Sequence, residues 1–300
     1  MSGKEQFETV GEGLLVRAPA KINLSLLIAG KRPDGFHEIE TVMAKVNFYD
    51  EILIEPGQKA GIELVCKGPH WAPEGKDNLV YQACEILLNN CGVWTDIKIT
   101  LTKNIPAGSG LGSASSDAAA TLIGIDKYLE FGLGNRQLAK PAKRLGSDVA
   151  FFLDGPLALC TGKGEKIKKL TKKFDFSALL ILPDVSVSTK KVYANYRHSS
   201  DVYKKLSARI NSYIEKNRID LVSEMRTNML GASCFSLYKE LAELKARIES
   251  LCVGPLCLSG SGSVLFFMID SKEAEKARKN QLKITKDIGC TSIIVSNNRW

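Results

Sequence analysis

Residues 106–122 read PAGSGLGSASSDAAATL, a loop with glycines at 108, 110 and 112 followed by serines that open an Ala-rich helix. An alternating apolar pattern at 97–101 predicts a strand directly before this loop. Backbone N–H groups of glycines can approach an anion closely, and a helix N-terminus adds about half a positive charge. The segment therefore predicts a binding site for phosphate.

Two known phosphate-loop patterns are excluded here. No GK[ST] ends the loop, as a Walker motif requires, and the three glycines are each two residues apart, which misses the G-x-G-x-x-G spacing. A purely structural alternative is a Gly-rich turn before a Ser-capped helix. Taken alone, the segment fits this alternative and the phosphate site equally well.

The segment before the loop predicts a group of polar residues near it. Apolar and polar residues alternate over 21–31, which predicts a half-buried strand with Lys21 and Asn23 on one face. Turn-forming residues follow at 32–35 and place residues 36–37 at an exposed corner.

The rest of the chain mixes helices and strands without regular βαβ alternation, which indicates an α+β fold. We expect two domains, 1–170 and 171–300, and a solvated connection in the lysine-rich segment 163–173. The expected helices are 78–91, from the glycine loop to about 131, 203–251 with a break around 231–233, and from about 271; the further expected strands are 157–161, 178–182, 256–259, 264–269 and 291–295.

Composition excludes several classes of protein. Hydrophobic residues make up 44% and charged residues 25% of the 300 residues, which is ordinary globular usage. No apolar run approaches the ~18 residues of a membrane span, and the first residues lack the apolar core of a secretory signal. Eight cysteines without a CxxC pair predict reduced, mostly buried thiols. We expect a cytoplasmic protein.

A net charge of +8 suits an acidic partner: nucleic acid, anionic lipid or a phosphorylated small molecule. The lysine-rich segment 163–173 has no interleaved aromatic residues and no recognised nucleic-acid motif. A solvated connector is therefore the favoured interpretation of that segment.

The glycine loop resembles the phosphate-binding loop of the GHMP kinases. Five further segments resemble the same family in the same order: PAKINLSL at 19–26, RPDGFHEIET at 32–41, LGSDVAFF at 145–152, TGKGE at 161–165 and LSGSGSVLF at 258–266. PAKINL together with DGFH is similar to one branch, whose members phosphorylate 4-diphosphocytidyl-2-C-methyl-D-erythritol. The matches run from residue 17 to 267.

The resemblance implies a two-domain GHMP kinase fold, with a left-handed βαβ unit in the N-terminal nucleotide-binding domain and a ferredoxin-like C-terminal domain. It implies transfer of the ATP γ-phosphoryl group to the 2-hydroxyl of the diphosphocytidyl acceptor, a step of non-mevalonate isoprenoid synthesis. Mg²⁺ is expected with the nucleotide, and its ligands stay open. No nucleic acid, membrane or obligatory protein partner is expected.

By the same resemblance, Asp148 matches the catalytic base and Lys21 the lysine that pairs with it and with the acceptor hydroxyl. A carboxylate near a hydroxyl can accept its proton, and an ammonium offsets charge on the transferring phosphoryl group. From the residues alone, Asp148 is explained as a first-turn acid of a helix, and Lys21 as a lysine at a strand end whose charge reaches solvent.

The remaining site residues also come from the resemblance. Phe36, His37 and Tyr193 match positions that recognise cytosine, although a surface aromatic after a turn is the simpler explanation of Phe36. The acceptor site further includes Asn23, Thr189, Gly260, Ser261 and Gly262. The nucleotide site includes Asn78, Lys103, Pro106, Gly108, Ser109, Gly110, Leu111, Gly112, Ser113, Ser115 and Ser116.

The chain departs from the family where GLGGGSSDAA reads GLGSASSDAA, so Ser113 and Ala114 replace glycines. Phosphate binding survives this change if the helix has begun by residue 113.

Two other functions stay open: a kinase for another small alcohol, such as homoserine, mevalonate or a sugar, and a non-catalytic module that binds nucleotide or RNA. The aromatic–histidine pair argues against the first, and retention of Lys21 and Asp148 argues against a nucleotide sensor.

Overall fold

The computed structural model describes residues 4–171, 174–251, 253–269 and 274–300. Cys252, Lys172, Lys173 and the expected start of a helix near 271 lie outside these ranges. Two β-sheets carry the fold, and helices pack against them. The strands are β1 Phe7–Val10, β2 Gly13–Lys31, β3 His37–Pro56, β4 Ile62–Lys67, β5 Ile97–Thr102, β6 Leu157–Gly162, β7 Lys166–Lys169, β8 Ser177–Leu182, β9 Cys257–Leu258, β10 Leu265–Ile269 and β11 Thr291–Ser296.

The described helices follow the apolar periodicity of the sequence. They are α1 Leu79–Cys91, α2 Ser113–Tyr128, α3 Asn135–Leu145, α4 Val149–Leu153, α5 Thr189–Asn195, α6 Ser200–Glu215, α7 Ile219–Glu224, α8 Gly231–Leu237, α9 Lys239–Ser250 and α10 Ala274–Lys283. A 3₁₀ turn precedes α1 at Gly75–Asp77, and a π-helical turn follows α10 at Ile284–Ile288.

The first sheet is organised around the two longest strands, β2 and β3, which pair antiparallel from Leu14↔Ile54 to Lys31↔His37. The order is β1-β2-β3-β5-β4, and β6 continues the sheet beside β3 and carries β7. β4 and β5 are parallel and are joined through α1, so β4-α1-β5 is a βαβ unit. One core lies between this sheet and helices α1–α4.

The second sheet has the order β11-β8-β10-β9, with antiparallel pairing throughout. Counted within this sheet, the order is 4-1-3-2, with helices in the connections from β8 to β9 and from β10 to β11. This is the arrangement of a ferredoxin-like split βαβ fold.

An apolar cluster joins the two sheets, so they share buried surface. Ile22 and Val46 of the first sheet pack in one cluster with Leu180 and Phe266 of the second, and each is at most 2% exposed. The domain border near residue 170 stays a prediction, in the segment between β7 and β8.

The expected strands and helices are largely confirmed, with two corrections. The lysine-rich segment is not only a connection: Lys166–Lys169 forms β7 and pairs with β6, with Ile167 half-buried and its lysines exposed. Lysines on an edge strand discourage pairing with other chains, which explains the composition. The helical segment 203–251 is interrupted in three places, and Gly231 begins a helix.

The seven described cysteines are free thiols, and four of them are buried, as the reduced interpretation predicts. Within the described ranges, no helix is long and apolar enough to cross a bilayer.

Helix α2 packs against the sheet through Gly124, and this contact yields a stability test. A Cβ at Gly124 would lie 2.7 Å from Ile54 Cδ1 and 2.8 Å from Val16 Cγ2. Gly124→Val should therefore lower the free energy of unfolding in urea by about 1–3 kcal/mol through overpacking.

Gly155→Ala is the matched control, because a Cβ at Gly155 meets no atom within 4 Å. We expect its unfolding free energy to stay within about 0.5 kcal/mol of the parent protein. Equal stability of Gly124→Val and the parent would contradict the described helix–sheet contact.

Candidate active site

The glycine loop has backbone dihedral angles that glycine allows and other residues disfavour. Gly108, Gly110 and Gly112 have φ angles of +66°, +83° and +71°, in the left-handed region that side chains disfavour. Helix α2 begins at Ser113, so the first-turn N–H groups of a 16-residue helix face the loop. The condition for tolerating Ser113 and Ala114 is therefore met: both have helical backbone.

The loop has one open and one closed side. A Cβ at Gly108 would meet no atom within 4 Å, whereas a Cβ at Gly110 would lie 2.2 Å from Ser259 O. Ser109 Oγ donates to Pro106 O at 2.7 Å, and the Lys21 N–H donates to Leu111 O at 2.9 Å. An anion can therefore approach the loop from the side of Gly108.

A second glycine loop, residues 259–263, closes the other side. Ser259 Oγ donates to Gly110 O at 3.0 Å, and the Val264 N–H donates to Ser109 O at 3.0 Å. Asn228 Nδ2 donates to Leu258 O at 2.7 Å and to Gly260 O at 2.8 Å. The second loop is thus fixed to the glycine loop and to the segment between α7 and α8.

Lys21 of β2 points at the junction of the two loops. Its ammonium donates to Asn23 Oδ1 at 2.6 Å and to Gly110 O at 2.8 Å. Burial lowers the pKa of Lys21, and the negative charge of Asp148 acts in the opposite direction. The side chain is 4% exposed, so this cation is held next to the glycine loop and away from bulk water.

Asp148 lies just before α4 and is half-buried. It makes no side-chain capping hydrogen bond to α4, a helix of five residues, so a capping role has no support in the geometry. The ion pair expected with Lys21 is not formed directly: no Nζ–O contact within 4 Å joins these two described residues. Asp148 Oδ1 instead lies 3.3 Å from the position of a Cβ on Gly164.

Aromatic residues lie beside this carboxylate. The rings of His37 and Tyr193 have centroids 5.2 Å apart, and His37 also meets Tyr196 at 6.1 Å. Burial, and then the charge of Asp148, raise the pKa of Tyr193. Burial lowers the pKa of His37, so its neutral ring offers one donor and one acceptor. Phe36 is 58% exposed and lies under Lys163 Nζ.

The second loop and helix α5 approach the same place. Thr189 Oγ1 and Ser261 Oγ share a hydrogen bond of 2.7 Å, and Tyr193 lies one turn further along α5. A Cβ on Gly260 would lie 3.4 Å from both Lys21 Nζ and Asn23 Oδ1. A Cβ on Gly262 would lie 3.2 Å from Cys234 Sγ, so this glycine packs against α8.

Besides Ser109, four residues expected at the nucleotide have side chains that bond to the protein itself. Asn78 caps α1 by accepting from Val80 N at 2.9 Å, and its amide donates to Pro73 O at 2.7 Å. Ser116 is fully buried and donates to Pro19 O at 2.7 Å. The other two, Lys103 and Ser113, lie in a buried charge cluster next to the loop. Their roles toward ATP stay predictions.

The buried charge cluster consists of Lys103, Asp50, Asp117 and Ser113. Lys103 Nζ lies 2.5 Å from Asp50 Oδ2 and 2.7 Å from Asp117 Oδ2, and it also bonds to Ser113 Oγ. Burial opposes the charge of Lys103, but the two carboxylates raise its pKa. Burial, and then repulsion from Asp50, raise the pKa of Asp117, whose Oδ1 has no hydrogen-bond partner.

Sequence reasoning missed Asp50, Ser259 and Asn228. Asp50 Oδ1 accepts from the N–H groups of residues 104 and 105 at 2.6 and 2.8 Å, so it orients the entry to the glycine loop. β3 contains four further acidic residues, Glu38, Glu40, Glu51 and Glu55, so its sequence does not single out Asp50. Within the described residues, no group of three or more His, Cys, Asp or Glu forms a candidate metal site.

Comparison with known proteins identifies the family. The model for the GHMP kinases N terminal domain matches residues 78–156, and that for GHMP kinases C terminal matches residues 210–285. The 4-diphosphocytidyl-2-C-methyl-D-erythritol kinase of Geobacillus sp. (strain WCH70) is 35% identical over 256 residues, 85% of this chain and 88% of that protein. Its counterpart from Syntrophomonas wolfei is 35% identical over 268 residues, 89% of this chain and 93% of that protein.

Solved structures agree with these sequence matches. A crystal structure of 4-(cytidine 5'-diphospho)-2C-methyl-D-erythritol kinase has a TM-score of 0.75 and 28% identity, covering 95% of this chain and 100% of that one. The homoserine kinase of Cytophaga hutchinsonii shares the fold, with a TM-score of 0.74 and 21% identity over 99% of this chain and 98% of that one. The chain therefore belongs to the GHMP kinase family, among the 4-diphosphocytidyl-2-C-methyl-D-erythritol kinases.

Proposed function

We propose that this chain transfers the γ-phosphoryl group of ATP to the 2-hydroxyl of 4-diphosphocytidyl-2-C-methyl-D-erythritol, a step of non-mevalonate isoprenoid synthesis. The observation that carries the proposal is the convergence of Lys21, Asp148 and the glycine loop beside the His37–Tyr193 ring pair. A phosphate site, a proton acceptor and a base-binding surface are thus adjacent.

In the proposed reaction, Asp148 accepts the proton of the 2-hydroxyl as that oxygen forms a bond to the γ-phosphorus. The bond from the γ-phosphorus to the bridging oxygen of the β-phosphate breaks, and ADP leaves. Asp148 suits this role because its carboxylate is half-buried and is not used to cap α4. Proton acceptance by a positioned carboxylate contributes about 10²- to 10⁴-fold.

Lys21 supplies positive charge to the same transfer. Its ammonium is held on Gly110 O, within the loop proposed to bind the phosphates. In a site shielded from water, a fixed cation stabilises the charge that develops on the transferring group. The missing direct pair with Asp148 is consistent with an acceptor hydroxyl that binds between the two side chains.

The acceptor is proposed to bind with its cytosine against the aromatic residues. Tyr193 and the exposed Phe36 offer ring faces, and the neutral His37 offers a donor and an acceptor to the base edge. Thr189, one turn before Tyr193 on α5, and Ser261 of the second loop offer hydroxyl groups that can meet the diphosphate or the polyol.

Mg²⁺ is proposed to arrive on the nucleotide, where it neutralises phosphate charge. Oxygen donors suit this ion, and one side chain near the loop fits: the half-buried Ser115, whose Oγ lies 3.8 Å from the Cβ position of Gly146. Asp50 and Asp117 are less suited, since both are already paired with Lys103.

The proposed base is tested by Asp148→Asn, which should lower kcat by about two to four orders of magnitude while the Kd for ATP stays unchanged. Asp154→Asn is the matched control, because Asp154 ends the same short helix and pairs with Lys169 at 2.7 Å. If the kcat of Asp148→Asn were within a few-fold of the kcat of Asp154→Asn, Asp148 would not be the base.

The phosphate loop is tested by Gly108→Ala. The added methyl group occupies the open side of the loop and strains a positive φ, so we expect ATP affinity to fall about tenfold. Gly132→Ala is the control, since Gly132 has a φ of +68° and equally open surroundings, but follows α2. Equal loss of ATP affinity in both variants would count against a phosphate site at Gly108.

Substitutions at Gly110 and Gly112 are less selective tests of the phosphate loop. A Cβ at Gly110 collides with Ser259 O, and a Cβ at Gly112 would lie 3.0 Å from both Lys21 Cγ and Phe152 Cζ. Gly110→Val and Gly112→Val would therefore disturb the second loop and Lys21 as well as ATP binding.

The cytosine surface is tested by Phe36→Ala and Tyr193→Ala. Losing one stacking ring should raise the KM for the diphosphocytidyl acceptor about 5- to 150-fold and leave the KM for ATP nearly unchanged. Trp94→Ala, at a side chain that is 89% exposed, is the control for loss of a surface aromatic. A rise in the KM for ATP with an unchanged KM for the acceptor would refute this assignment.

A further inference from the structure

We propose that Thr41 is a positioning residue, which fixes the side-chain amide of Asn23 and thereby the ammonium of Lys21. The proposal rests on the proposed function, because it assumes that Lys21 acts in phosphoryl transfer. Thr41 is the last residue of the RPDGFHEIET segment, and none of the roles assigned above involves it.

A chain of three hydrogen bonds connects Thr41 to Lys21. Thr41 Oγ1 donates to Ser25 O at 2.6 Å and accepts from Asn23 Nδ2 at 2.8 Å. Asn23 Oδ1 then accepts from Lys21 Nζ at 2.6 Å. Thr41 is 1% exposed, and Asn23 and Lys21 are each 4% exposed, so little water can replace any of these partners.

The single hydrogen of the threonine hydroxyl decides which groups donate and which accept in these three hydrogen bonds. Because Ser25 O takes that hydrogen, Thr41 presents only a lone pair to Asn23, and only the NH₂ end of the amide can meet it. The carbonyl end of Asn23 must then face Lys21. The opposite amide orientation would place NH₂ against the ammonium and the carbonyl oxygen against the threonine lone pair. Both hydrogen bonds of the Asn23 amide would be lost, which is costly in a buried site.

Strand pairing fixes the positions of these hydrogen-bonded residues. Thr41 pairs with Leu26 across β2 and β3, and a β-bulge lies between Asn23 and Ser25. On its other side, β3 pairs with β6, where Thr41 is opposite Cys160. Thr41 is therefore fixed from both sides, and its hydroxyl can set the orientation of Asn23.

Loss of the hydrogen bonds from Thr41 through Asn23 to Lys21 should change the titration of Lys21. Asn23 Oδ1 and Gly110 O stabilise the ammonium, Asp148 at the start of α4 and Cys160 on β6 favour it electrostatically, and burial opposes it. Without the fixed Asn23 carbonyl, the pKa of Lys21 falls further. The alkaline limb of the kcat–pH profile, where the ammonium is lost, then moves to lower pH.

The test compares Thr41→Val, which keeps the shape and removes the hydroxyl, with Thr41→Ser, which keeps the hydroxyl. In Thr41→Val we expect kcat to fall about tenfold, the KM for ATP to stay within about twofold, and the alkaline limb to move down by about one pH unit. Thr41→Ser should restore both kcat and the limb.

Thr121→Val is the control for losing any buried threonine hydroxyl, since Thr121 is fully buried and donates to Asp117 O at 2.8 Å in α2. It should leave the alkaline limb in place. An unmoved limb in Thr41→Val, or an equal shift in Thr121→Val, would overturn the proposal.

An NMR titration of ¹³C-labelled lysine, with Lys21 assigned through Lys21→Arg, separates this proposal from the proposed function. A lower pKa of Lys21 in Thr41→Val supports the positioning role even if the parent protein does not turn over the diphosphocytidyl acceptor. Turnover of that acceptor with an unchanged Lys21 titration supports the proposed function and refutes the role of Thr41.

Discussion

The carbonyl oxygen of Gly110 is the point on which the site depends. It accepts from Lys21 Nζ at 2.8 Å and from Ser259 Oγ at 3.0 Å, and so joins a strand of the first sheet to a loop of the second. The contact is so close that a Cβ at Gly110 would lie 2.2 Å from Ser259 O. One glycine therefore determines both the position of the buried cation and the meeting of the two loops.

The buried charge cluster holds the start of α2, directly after the glycine loop. Lys103 pairs with both Asp50 and Asp117, and Asp50 also accepts from Ser113 Oγ at 3.0 Å, at the first residue of α2. Removing the cation would leave two buried carboxylates, a loss of about 3–5 kcal/mol for a buried pair. The serine that replaces a family glycine at 113 thus has a partner, which explains why it is compatible with this loop.

Sequence periodicity predicted most of the fold, because strand and helix patterns depend on local burial. It also placed Lys21 and Asn23 together, since residues two apart share a strand face. It could not find Asp50 or Ser259, whose partners Ser113 and Gly110 are 63 and 149 residues away. The lysine-rich segment was mistaken for a connection alone because edge pairing with β6 leaves little apolar signal.

The central claim is that a phosphate loop, a buried cation and a base-binding surface act on one acceptor. The most direct measurement is a coupled assay of ADP release with 4-diphosphocytidyl-2-C-methyl-D-erythritol, 2-C-methyl-D-erythritol 4-phosphate, homoserine and mevalonate. The account predicts turnover with the cytidine-bearing acceptor and a much lower kcat/KM for the others, because the bound base orients the reacting hydroxyl. Equal kcat/KM for the base-free methylerythritol phosphate would contradict it.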